Sequence, residues 1–150
     1  MKPRFGTALA ADIPQLVELL GILFTQEAEL SPDPEKQRRA LEMILADPSR
    51  ARIYVAREAN KVVAMAALHF TISTAEGGKV AWFEDCIVRP EYRRQGIGKA
   101  LLEHVIAQAR AEGALRVMLL TDGDNERAQA VYRKAGFADS SMLAMRLKLR

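Results

Sequence analysis

The stretch best equipped for chemistry is Val88-Arg89-Pro90-Glu91-Tyr92-Arg93-Arg94-Gln95-Gly96-Ile97-Gly98-Lys99-Ala100-Leu101-Leu102. It leads from a strand-like segment into a helix-like one. The first backbone N–H groups of a helix have no partner inside it, and the helix dipole favours an anion there. Gly96 and Gly98 let a ligand approach the backbone closely, and Arg89, Arg93, Arg94 and Lys99 add positive charge around them. That combination suits a phosphate or pyrophosphate cradle. Two familiar phosphate motifs do not fit. A P-loop needs Gly where Arg93 stands and Ser or Thr where Ala100 stands, and a dinucleotide fingerprint needs a third Gly where Leu101 stands. A plain glycine-containing strand-to-helix loop stays open as the alternative.

Other reactive residue types are few. Cys86 is the single cysteine, so neither an internal disulfide nor a Cys-rich zinc site can form. As a nucleophile it would need a base such as His69 or His104, and nothing in the spacing supplies one. A small buried hydrophobe is the better reading for Cys86. His69 falls mid-strand and His104 mid-helix, both in structural roles.

Lys plus Arg number 22 against 19 Asp plus Glu, a net charge of +3. No block of five like charges occurs and no helix offers a Lys/Arg-rich face, which argues against a nucleic-acid partner. No apolar run approaches the roughly 18 residues needed to cross a bilayer. The N-terminus lacks a signal-peptide pattern, so no membrane association and a cytoplasmic location are expected. The 150 residues suit one domain, which needs no metal or disulfide to fold.

These residues need a scaffold, and the periodicities describe one. Residues 2–9 predict a short strand. Asp12 reads as an N-cap with Gln15 completing a capping box. Ile13, Leu16, Val17, Leu20, Leu23 and Phe24 follow at helical spacing, and the helix should fade near Leu30 before Ser31-Pro32-Asp33-Pro34. A second helix is expected over 34–45. Strands are expected over 52–56, 62–73 and 80–88, joined by a turn at 58–61 with Asn60 at positive φ and another at 76–79. Ile97, Leu101, Leu102, Val105 and Ala109 form a helical stripe that Gly113 ends. Residues 115–120 read as a strand buried on both faces. A helix follows from Asp124 or Asn125 to Ala135. The alternation of Leu147 and Leu149 with Arg146, Lys148 and Arg150 predicts a last strand over 142–149. A meander feeding a βαβ unit gives an α+β fold: a mixed, mostly antiparallel central sheet flanked by helices.

The glycine loop has company. Arg93-x-x-Gly96-x-Gly98 resembles the acyl-CoA pyrophosphate motif of the GNAT N-acetyltransferase superfamily. The preceding Val88-Arg89-Pro90-Glu91-Tyr92 is similar to the family's Val-x-Pro segment. Asn125, Ala128 and Tyr132-Arg133-Lys134-Ala135-Gly136-Phe137 match its downstream Asn, Ala and Tyr-x-Lys-x-Gly-Phe positions. Phe83-Glu84-Asp85-Cys86-Ile87-Val88 looks like its acidic fourth strand, and Ala10-Ala11-Asp12-Ile13-Pro14 is similar to its start. The resemblance covers nearly the whole chain and implies acetyl-CoA as co-substrate. It implies that Arg93, Arg94, Gln95, Gly96, Ile97, Gly98 and Lys99 hold the pyrophosphate. It further implies that the strand edge at Cys86, Ile87 and Val88 pairs with the pantetheine arm, as in β-augmentation. Asn125 would bond the pantetheine or position the thioester, and Tyr132 would protonate the leaving thiolate. A homodimer is compatible with the family's habits.

Amine acetylation sets requirements of its own. A lysine-like amine of pKa near 10.4 loses about 4 kcal/mol in being neutral at pH 7.4. A base removes part of that cost. Glu84 is expected to serve and Asp85 is second, since adjacent strand residues face opposite sides. A backbone N–H near Val88 would stabilise the oxyanion. No metal and no covalent enzyme intermediate is required. Phe24, Glu27, Glu29, Asp33 and Glu35 lie where the family shapes its acceptor pocket, and the four acidic ones could attract a cationic amine or be ordinary helix surface. The expected activity is acetyl transfer to a small-molecule or protein primary amine by direct attack. The alternative is a non-catalytic acyl-CoA sensor.

Overall fold

The computed structural model describes residues 2–27 and 29–150. The chain divides into two compact units, residues 1–120 and 121–150. In the first, strands β1 (Arg4–Thr7), β2 (Ala51–Glu58), β3 (Lys61–Ser73), β4 (Gly78–Val88) and β5 (Val117–Leu119) form one sheet in that order. β1 to β4 pair antiparallel. β5 runs parallel to β4, through the register Ala81–Val117, Trp82–Met118 and Phe83–Leu119. Helices α1 (Ile13–Gln26) and α2 (Pro34–Ala46) precede β2, and α3 (Ile97–Ala111) crosses from β4 to β5. This is the mixed, mostly antiparallel sheet with a βαβ unit that the sequence pattern predicts.

Side-chain alternation assigns the two faces. Ile53, Val55, Val62, Met65, Ala67 and Ile87 pack with Leu16, Leu19, Leu20 and Leu41 of α1 and α2. On the other face α3 buries Leu101, Leu102, Val105 and Ala109. Tyr54 points to that side, where its ring meets His104 edge-on at 5.9 Å, and Phe5 stacks on His104 at 5.5 Å. Helices on both faces explain why β3 is buried without interruption from Val62 to Leu68.

Several local expectations are corrected. Asp12 does precede α1, but its side chain makes no cap bond within the helix. It accepts instead from the Leu9 N–H (2.7 Å) and from Arg57, whose Nη1 is 2.6 Å from Oδ1 and whose Nη2 bonds Oδ2. Gln15 likewise reaches across to the Val62 N–H at 2.8 Å. Tertiary partners outbid the local capping box. In the turn after β2 the positive φ falls on Ala59 (54°), not Asn60. β5 has three residues, all half-buried, because it pairs on one edge and only beside Ala81–Phe83.

The second unit holds α4 (Glu126–Lys134), with Asn125 as its N-cap and Gly136 at φ 109° beyond its end. Residues 142–149 carry no strand there. Alternation creates a strand only where a ladder partner exists, and this unit contains no other strand.

The Asp12–Arg57 pair is buried at the carboxylate, so Asp12→Ala is expected to lower unfolding free energy by about 3 kcal/mol in a urea titration. The bond to Arg57 and the Leu9 amide lower the Asp12 pKa below its ordinary 3.8. Its stabilisation is therefore complete above about pH 4 and fades as pH falls toward the lowered folded value.

Candidate active site

β5 leaves β4 after Phe83, so from Glu84 to Val88 the outer edge of β4 carries no ladder among the described residues. A bulge sits where the edge becomes free. The register jumps from Ala67–Glu84 to Met65–Ile87, placing Asp85 and Cys86 opposite Ala66, with Asp85 at φ 55°. An extra residue in the left-handed region re-aims the strand. Beyond it the Arg89 N–H donates to Val63 O at 2.8 Å, on the β3 side. By alternation the backbone groups of Cys86 and Val88 face the free edge. Ile87 does not share that role, since it pairs with Met65 and its side chain is buried in the core.

The loop after β4 prepares the next element. Arg94 (φ 64°) and Gly96 (φ 80°) both adopt left-handed conformations. Gly96 caps α3, and the first bond back to it comes from Ala100 N–H at 3.0 Å. Among the described residues, the six amides of Arg94, Gln95, Gly96, Ile97, Gly98 and Lys99 donate to no group of the chain. Such a run of free amides at a helix N-terminus binds anions. A Cβ on Gly98 would lie 3.4 Å from Val88 Cγ2, in van der Waals reach of the strand end. The cradle therefore fits a pyrophosphate through backbone more than through side chains. Arg93 Nε donates to Val88 O (3.0 Å), and Lys99 Nζ lies 4.0 Å from Glu103.

Arg89 departs from the basic cluster read in the sequence. It is buried, donating from Nε to Val62 O at 2.7 Å and pairing through Nη2 with Glu18 of α1 at 3.1 Å. Its position two residues after core-facing Ile87 is the sequence signal for this, and Glu18 itself was not singled out by any motif.

The two acids differ sharply. Glu84 is exposed, with Oε2 3.7 Å from His69 Nε2. Asp85 is half-buried at the bulge, and desolvation, together with the charges of Glu84 and Glu27, raises its pKa to about 6. The neighbouring Cys86 thiol is pushed up to about 12 by burial and by Asp85, which disfavours the thiolate a nucleophile needs. Among the described residues no group of three or more His, Cys, Asp or Glu is placed to hold a metal ion.

In the second unit Asn125 Oδ1 accepts from the Ala128 N–H at 3.2 Å, so its carbonyl oxygen is engaged as the α4 cap. Tyr132 lies in the last turn of α4, edge-on to Phe137 at 6.0 Å.

The acetyltransferase (GNAT) family model matches residues 13–137, and the chain belongs to that family. It is 38% identical over 55 residues to the ribosomal protein bS18-alanine N-acetyltransferase of Escherichia coli (strain K12), 37% of each chain. It is 35% identical over 78 residues to bovine thialysine N-epsilon-acetyltransferase, 52% of this chain and 45% of that one. These matches span about a third to a half of the relatives' length. Among solved structures, a putative acetyltransferase from Agrobacterium tumefaciens superposes with TM-score 0.82 at 26% identity, covering 96% of this chain and 99% of the other. An integron cassette protein from a salt-marsh metagenome gives 0.84 at 28% identity over 97% and 90%. No helix among the described residues is long and apolar enough to cross a membrane.

Proposed function

We propose that this protein transfers the acetyl group of acetyl-CoA to a primary amine by direct attack in a ternary complex. The observation that carries the reading is the run of six unpartnered amides from Arg94 to Lys99 beside a free strand edge. Those amides would hold the coenzyme's pyrophosphate, with Arg94, Gln95 and Lys99 at the rim. The Cys86 and Val88 edge would pair with the pantetheine amides, and the Asn125 side-chain NH₂ would donate to the same arm.

The amine must be neutral to attack. Asp85 is the better base of the adjacent pair, because its raised pKa of about 6 lies near the working pH while it stays ionised at pH 7.4. Exposed Glu84 would instead steer the cationic acceptor. Nitrogen adds to the thioester carbonyl, and the Val88 N–H stabilises the oxyanion. The C–S bond then breaks and the thiolate, of pKa about 8.5 when free, takes a proton from Tyr132.

Two relatives are named for a protein alanine and for thialysine, so either a protein amine or a small amine could serve as acceptor. The cytoplasm, where acetyl-CoA is available, is the proposed compartment. Thiol release across a panel of small amines and peptides tests the activity. Turnover with at least one amine is expected; tight acetyl-CoA binding without turnover for any would make the protein a sensor. Tyr132→Phe is expected to lower kcat about a hundredfold, with calorimetric affinity for acetyl-CoA nearly that of the parent. An unaltered kcat removes Tyr132 as the acid.

A further inference from the structure

A groove of about 610 Å³ is lined by Glu18, Gly21, Ile22, Thr25 and Gln26 of α1 and by Arg89, the residue after β4. The five α1 residues have the spacing of a single helical stripe. Glu18 is tied to Arg89, just past Val88, at 3.1 Å. At the other end, Glu27 after the helix acts electrostatically on Asp85. The helix therefore runs opposite to β4, alongside the whole unpaired stretch. The lengths agree: Glu18 to Gln26 spans about 12 Å at 1.5 Å per helical residue, and Asp85 to Arg89 about 13 Å at 3.3 Å per strand residue.

Two of the three polar α1 side chains in this wall are engaged, and the third, Gln26, is uncharged. Thr25 Oγ1 donates to Gly21 O at 2.7 Å, and Glu18 is held by Arg89. What remains is a slot with little to offer a charged ligand. It suits a slender chain of methylenes and amides that makes its hydrogen bonds to the strand edge.

Gly21 is the unexplained residue. Glycine weakens a helix interior. Yet a Cβ built at Gly21 meets nothing within 4 Å, so the fold itself leaves room for a side chain. The space in front of it belongs to the groove.

We propose that Gly21 is the clearance position of the pantetheine track: α1 forms a second wall facing the free edge of β4, and the missing side chain admits the arm of acyl-CoA. This specificity-determining role rests on the acetyltransferase reading above.

The test is calorimetric titration of CoA and of ADP, which carries the adenosine and pyrophosphate but no arm, into the parent, Gly21→Ala and Gly21→Leu. Leucine is expected to weaken CoA binding at least tenfold and alanine a few-fold, with ADP affinity within twofold and a thermal midpoint equal to or above the parent's. Unchanged CoA affinity in Gly21→Leu overturns the inference alone. Equal losses of CoA and ADP also overturn it, since the damage would then not be confined to the arm. Should leucine prevent folding, alanine decides on the same criterion. A parent that binds neither ligand overturns the acetyltransferase reading and this inference with it.

Discussion

Asp85→Asn is expected to cut kcat by about a hundredfold to ten-thousandfold at pH 7.5, the range that removal of a general base produces. The substitution suits its site, because asparagine tolerates the left-handed backbone that Asp85 holds at φ 55°. The parent's kcat/KM should fall with a single proton below pH 6, since desolvation and the neighbouring Glu84 and Glu27 charges raise Asp85 to about 6. That acidic limb should disappear in the variant's residual activity. Stability should move the other way. Unfolded Asp85 ionises near 3.8, so between about pH 4 and 6 the folded parent holds a proton the unfolded chain has lost, and stability falls as pH rises. The cost persists above pH 6, and Asp85→Asn relieves it, so its thermal midpoint at pH 8 should exceed the parent's. Steady-state pH profiles with melting curves measure both effects. A larger loss of kcat in Glu84→Gln than in Asp85→Asn would return the base to Glu84.

Gly96→Val is expected to weaken CoA binding at least about a hundredfold. Gly96 holds φ 80°, where a β-branched residue is strained by roughly 1–3 kcal/mol, and the loop relaxes by turning its amides away. Each lost bond to a charged phosphate removes roughly 1.5–3 kcal/mol. Two such bonds are enough for the predicted loss. Nothing lies within 4 Å of the added Cβ, so the core is untouched, and the backbone strain alone should lower the melting temperature, by about 2–4 °C for each kcal/mol. Calorimetry on the soluble variant reads the effect. CoA affinity near that of the parent would place the cradle outside residues 94–99.

Much of this was readable in the residues themselves. Val88 to Leu102 carries its own structural instructions: a proline after a strand, glycines at the turn, then an amphipathic stripe. The cradle and α3 form from that local information. The same holds for β3, whose apolar run announces cover on both faces. Positions decided by distant partners were not legible. Asp12 and Gln15 match a capping box on paper, yet Arg57 and the Val62 amide, more than forty residues away, take their side chains. Arg89 sits among basic residues in sequence, but strand alternation swings it under α1 to Glu18. Glu84 and Asp85 look interchangeable until the bulge opposite Ala66 leaves one in solvent and half-buries the other. The sequence by itself determined the family and most of the elements, the strand expected over 142–149 excepted. Only the tertiary structure decided which carboxylate is desolvated, which arginine is buried and which face of α1 borders the free edge, because burial and charge contacts depend on neighbours that the chain order does not name.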